Sequence, residues 1–159
     1  MTTTVAPAKP VPVWNEASAP FFAGAVRGEL MLLRCGACRT FMSPAAYLRV
    51  PLRPRCTECF SAELAWAPSS GKATLYSFAL MHQVYDEAFA AEIPYNIAVV
   101  ETAEGVRLTS QVVDCPNDGL EIGMALEVTF ERVSDDVAVP KFRRSARAAR
   151  CGDERSEAQ

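Results

Sequence analysis

Two Cys-x-x-Cys pairs, Cys35-Gly-Ala-Cys38 and Cys56-Thr-Glu-Cys59, constrain this chain more than any other feature. A tight turn through each pair places both thiolates on one side of the backbone, and two such turns supply the tetrahedron that Zn²⁺ prefers. Four thiolates leave no coordination position open for water or substrate. The expected Zn²⁺ is therefore structural, and what it contributes is folding free energy. Iron in a rubredoxin-like electron-transfer centre is the competing occupant. Rubredoxin knuckles place Gly directly after the second cysteine, where this chain has Arg39 and Phe60, and that mismatch favours zinc.

A staple of this kind suits the size of the chain: 159 residues, 50% hydrophobic, make one compact domain or two small ones, each with a modest core. The net charge of -3 lacks the electrostatic footprint of a protein that neutralises a phosphate backbone, so nucleic acid is not an expected partner. No signal-peptide pattern or bilayer-length apolar run is present, and the expected location is cytoplasmic, without membrane contact. Six cysteines in a reducing compartment argue for metal rather than disulfides, with Cys115 and Cys151 read as free thiols.

The chain divides into a Pro-rich disordered lead over 1–14, a helix and zinc ribbon over 15–67, an OB-type domain over 68–143 and a disordered tail over 144–159. Asn15 or Ser18 can cap a short helix with Phe21, Phe22, Ala25 and Val26 on one face and Gly28 at its end. An apolar strand over 30–34 leads into the first knuckle, and a second over 62–67 follows the last cysteine. Pro44, Pro51 and Pro54 keep the stretch between the knuckles from forming a regular helix. After the turn at 68–71, strands are expected over 72–83, 96–101, 106–114, 126–133 and 137–142. The fold class is mainly β: a short N-terminal helix, a rubredoxin-like zinc ribbon, then a five-stranded OB-type barrel.

No Gly-rich phosphate loop, nucleophile elbow or nucleotide fingerprint is present, and His82 is the sole histidine. Without a catalytic set, the chain reads as one that serves another protein's chemistry. Tyr85, Phe89 and Tyr95 lie in or beside the long connection between the first two barrel strands, where aromatic rings either stack on a nucleotide or simply close the barrel end. Arg107, Lys141, Arg143 and Arg144 are candidates to meet phosphates, against the plainer reading of a solvated basic face. Glu101 and Glu104 flank a hairpin turn and read as solvated surface.

Several segments occur in a specific order: Pro20-Phe-Phe-Ala-Gly24, Gly28 to Cys38, the second knuckle, Ser70 to Ser77, Pro94-Tyr95 before a Val-Val-Glu101 strand, Gly105 to Leu108, Ile122 to Met124 and Val139-Pro-Lys-Phe142. Over residues 18–143 this order resembles the acyl-CoA-associated OB-fold family, long labelled a domain of unknown function. The resemblance implies a non-catalytic subunit that binds acyl-CoA and docks on a thiolase-like enzyme. Such enzymes include thiolases, aldolases of steroid side-chain degradation, thiolases of aromatic degradation, and acyltransferases, in a heterotetramer or larger assembly. His82, Tyr85, Phe89, Tyr95, Arg107 and Arg143 are the residues expected to meet acyl-CoA. Only the four cysteines carry over from the family residue by residue. The 42–53 stretch is longer than in many relatives, which makes it either an added docking surface or a longer loop. A nucleic-acid-binding ribbon and barrel module, a rubredoxin-like electron carrier and an independent enzyme using the barrel mouth are the alternatives.

Overall fold

The computed structural model describes residues 9–45 and 54–146. The first element is α1 (Ala19–Val26), with Pro20 in its first turn, where a missing N–H costs nothing. Asn15 and Ser18, both candidate caps, bond to each other instead: the Asn15 N–H donates to Ser18 Oγ at 3.0 Å and the Ser18 N–H to Asn15 Oδ1 at 3.1 Å. Phe21, Phe22 and Ala25 form the buried face of α1. Gly24 joins them because a Cβ there would stand 2.3 Å from Met31 Cγ and 3.0 Å from the Glu29 carbonyl, so glycine leaves room for the Met31 side chain as it packs here.

That strand, β1 (Met31–Cys35), is the centre of a small antiparallel sheet between β2 (Phe41–Met42) and β3 (Leu64–Pro68). Most of the excursion between the knuckles, 46–53 with Pro51, lies outside the described residues. Gly71 then turns the chain out of the ribbon at φ +74°; a Cβ would meet the Val128 side chain at 2.8 Å, and the Gly71 carbonyl accepts the Val128 N–H at 2.8 Å.

The remaining strands are β4 (Lys72–Met81), β5 (Tyr95–Thr102), β6 (Arg107–Ser110), β7 (Val112–Val113), β8 (Ala125–Arg132) and β9 (Ala138–Arg144), in one sheet of order β6-β5-β4-β8-β9-β7. β5 alternates strictly, burying Asn96, Ala98, Val100 and Thr102, as a strand with one covered face must. The run expected as one strand over 106–114 is two. It breaks at Gln111, so that β6 pairs antiparallel with β5 while β7 pairs parallel with β9. The two ends of the sheet are thus consecutive stretches of one run, which gives the OB arrangement without a closed hydrogen-bonded barrel. At the break the Gln111 carbonyl still accepts the Phe142 N–H at 3.0 Å.

One core serves the helix, the base of the ribbon and the OB sheet: Phe21, Phe22, Leu30 and Leu32 pack with Leu75, Val100, Leu126 and Phe142. A separate, smaller cluster of Leu33, Cys35, Met42 and Cys56 fills the ribbon tip. At the chain ends, 1–8 and 147–159, including Cys151, lie outside the described residues. Arg144 of the expected tail closes β9, and the Ser145 N–H donates to the Ala125 carbonyl at 3.0 Å.

The hairpin turn after β5 holds the ribbon to the sheet. Glu104 accepts the Ser70 N–H at 2.7 Å and the Ser69 hydroxyl at 2.8 Å, so this acid is a staple on the linker rather than solvated surface. Partial burial pushes its carboxyl up, but the Ser70 N–H and the serine hydroxyls outweigh that and hold it at about 2. The stabilisation is therefore present above the ordinary carboxylate range near 4.5 and is lost as pH falls through about 2. A Glu104→Gln variant should lose about 1 kcal/mol of stability at neutral pH, with the deficit shrinking toward pH 2. Urea unfolding of both proteins across that range measures it.

Candidate functional site

The two knuckles are built alike. The Cys35 N–H donates to the Thr40 carbonyl at 2.9 Å and the Arg39 N–H to the Cys35 carbonyl at 3.0 Å; Cys56 with Ser61 and Phe60 with Cys56 repeat this at 2.9 and 3.0 Å. The residue after each second cysteine is left-handed, Arg39 at φ +65° and Phe60 at φ +58°. These are the positions where rubredoxin has glycine, and the backbone takes the glycine conformation without it. The missing glycines therefore do not separate zinc from iron.

All four sulfurs lie within 4.8 Å of one another; Cys35 Sγ and Cys59 Sγ are 3.6 Å apart, Cys38 Sγ and Cys56 Sγ 3.5 Å. A tetrahedron with Zn–S bonds of about 2.3 Å has edges of about 3.8 Å, so the spacing fits a metal of that size. Cys35 and Cys56 are buried while Cys38 and Cys59 face outward. Thr40, through its hydroxyl and its backbone, draws the Cys38 thiol down to about 6. The Ser61 N–H acts the same way on Cys59, yet the neighbouring thiols and burial push Cys59 up to about 12. Four adjacent sulfurs do not all ionise unaided, and a divalent cation is what lets them do so. The donor set fits a closed, structural metal ion.

The barrel mouth is a second feature. Of the residues expected to meet acyl-CoA, Phe89 and Tyr95 come together, ring centroids 6.1 Å apart, with Phe89 in the 3₁₀ turn Glu87–Glu92 and Tyr95 opening β5. They line a cavity of about 190 Å³ with Asn96, Ile97, Ser110 and Gln111. His82 and Tyr85 are exposed just past the end of β4. Arg107 lies on β6, paired with Glu101 at 2.8 Å and stacked 3.6 Å over the Tyr76 ring. Arg143 lies on β9, paired with Glu127 at 2.9 Å. Both guanidinium groups thus already have carboxylate partners.

Asn96 is the residue that sequence reasoning missed. It is 4% exposed, and its amide bonds to both backbone groups of Val112: Nδ2 donates to the carbonyl at 2.9 Å and Oδ1 accepts the N–H at 2.8 Å. It acts as a length of strand across the gap left where β6 and β7 part. The signal was present in a polar residue at an inward position two before Ala98 and four before Val100. Lys9 and Gln111, which border the same mouth, carry no such signal.

A family model described as the C-terminal OB-fold domain of ChsH2 matches residues 66–131. A DUF35 domain-containing scaffold protein of Methanocaldococcus jannaschii is 34% identical over 107 residues, covering 67% of this chain and 71% of that protein. The chain belongs to the DUF35 family. Another relative, a probable enoyl-CoA hydratase alpha subunit of Thermomonospora curvata, is 33% identical over 135 residues, which are 85% of this DUF35 chain but only 40% of that protein. Among solved structures, the Ltp2-ChsH2(DUF35) aldolase contains a chain that superposes with a TM-score of 0.69 at 31% identity, covering 84% of this chain and 98% of that one. Among the described residues, no helix is long and apolar enough to cross a membrane.

Proposed function

We propose that this DUF35 chain is a non-catalytic subunit that carries a structural Zn²⁺, binds acyl-CoA and docks on a thiolase-like enzyme: a thiolase, aldolase or acyltransferase of CoA-thioester metabolism. The observation that carries this reading is the likeness to a chain of the Ltp2-ChsH2(DUF35) aldolase over 98% of that chain's length. The closed sulfur site supports it too. Cys35, Cys38, Cys56 and Cys59 would hold the ion on all four sides, so its role is to fix the ribbon. No group in the mouth has the neighbours of a nucleophile or a general base: His82 is exposed, and Phe89, Tyr95 and Asn96 supply contact and hydrogen bonds rather than proton transfer.

On this reading the chain positions a thioester for the enzyme's chemistry. Arg107 and Arg143 each hold a surface carboxylate that a CoA phosphate would have to displace, and the net charge of -3 speaks against a nucleic-acid module. A thiolase-like enzyme from the same genome, assayed on its acyl-CoA substrate, should turn over about tenfold to a hundredfold faster once this chain is added. The chain alone should show no turnover. Equal rates with and without it, or turnover by the chain alone, would overturn the proposal.

A further inference from the structure

The lead expected to be disordered over 1–14 is, from Lys9 onward, laid across the barrel mouth. The Lys9 ammonium pairs with Glu92 of the 3₁₀ turn, lies 3.7 Å from Glu131 of β8 and sits 5.5 Å over the Phe89 ring. Glu131 is also paired with Lys141 of β9, which in turn donates to Gln111 Oε1 at 2.7 Å. The Lys9 cation therefore joins two elements that are far apart in sequence. Behind it, Pro10 and Pro12 restrict the strap's own backbone, which makes the segment a short stiff piece rather than a loose coil.

Beneath the strap is a cavity of about 220 Å³. Pro10 and Pro12 form one wall and Phe89, Val133 and Val139 the other. It meets the cavity beside Tyr95 at Phe89 and Gln111, which line both. The charged groups at its border are Lys9, Glu131 and Lys141, and each already has an opposite partner. What remains to bind a ligand is apolar surface in a narrow space, with one side-chain amide at the junction. That chemistry suits an uncharged alkyl chain and gives an anionic head no unpaired cation.

We infer that Lys9–Pro12 is the movable wall of an alkyl-binding chamber at the barrel mouth, latched shut by Lys9 across Glu92 and Glu131. The inference rests on the acyl-CoA reading for the identity of the ligand, an acyl chain, and adds where that chain goes and what controls its entry. The latch is a half-buried ion triad at the rim of the chamber, separate from the main core, so breaking it removes a small barrier to opening and leaves the fold intact.

Trp14, half-exposed just beyond the strap, is a built-in reporter. In stopped-flow fluorescence with octanoyl-pantetheine as the probe, a Lys9→Met variant of the full chain should bind and release about threefold to fivefold faster than wild type, and Lys9→Arg should restore the slower rates. Raising salt to about 0.5 M should speed the wild type alone, because screening unlatches it. A Trp14→Phe control should lose the signal while equilibrium dialysis still detects binding. The inference is overturned if the wild type does not bind octanoyl-pantetheine by dialysis. It is equally overturned if Lys9→Met and salt leave the rates unchanged. Octanoyl-pantetheine lacks the nucleotide and the experiment lacks the enzyme, so failure to recognise octanoyl-CoA in the assembled complex would remove the functional reading and leave the chamber standing.

Discussion

Replacing Cys56 by serine should release the metal and unfold the ribbon tip while the OB sheet stays folded. The tip's own core is Leu33, Met42 and the two buried cysteines, so half of its buried groups are metal ligands. Little apolar area remains to hold β2 and the second knuckle once the ion is gone, and structural zinc contributes on the order of 10 kcal/mol or more in small domains of this kind. Leu30 and Leu32, by contrast, belong to the larger core with α1 and the OB sheet and do not depend on the metal. Metal affinity should fall by well over about a hundredfold, the scale on which even outer-shell changes act. Hydrogen exchange should show lost protection over 35–42 and 54–61 and retained protection in β4, β5 and β8. The same loss should follow treatment of the wild type with a strong chelator. Metal analysis of the intact protein decides the ion: zinc leaves it colourless, whereas a ferric thiolate centre would be red.

Asn96→Leu should be the most damaging change outside the ribbon. The leucine is close in size but pairs with nothing, and it leaves the buried N–H and carbonyl of Val112 without partners just where β6 and β7 part. Each of the two orphaned groups costs about 1–3 kcal/mol, so a loss of about 2–6 kcal/mol is expected. In a chain of this size that lowers the melting temperature by roughly 5–15 °C. Asn96→Asp tests the geometry further, because it keeps the acceptor for the Val112 N–H but turns a carboxylate toward the Val112 carbonyl and Asn117 Oδ1. It too should destabilise, and more at neutral than at acid pH. A melting temperature unchanged in Asn96→Leu would mean that the side chain does not bridge the break.

The residues that were legible in the sequence are those whose role is local. Two thiols three apart in a tight turn declare a metal knuckle whatever surrounds them, and the alternation of β5 follows from one covered face. The split at Gln111 is not local. It follows from Val112 aligning in parallel with Phe142, a partner thirty positions away that no pattern inside 106–114 can announce. Glu104 and Lys9 were read as surface and lead for the same reason, since their partners at Ser69, Ser70, Glu92 and Glu131 are distant in the chain. Arg39 and Phe60 illustrate a different limit. The absence of glycine at these positions counts against iron in the sequence, yet both residues take the left-handed φ that glycine would supply.

Native mass spectrometry of this chain co-expressed with a thiolase-like enzyme from the same genome tests the scaffold role most directly. A mixed assembly with one Zn²⁺ per copy of this chain is the expected result. A lone, metal-free monomer that ignores both the enzyme and acyl-CoA would contradict it.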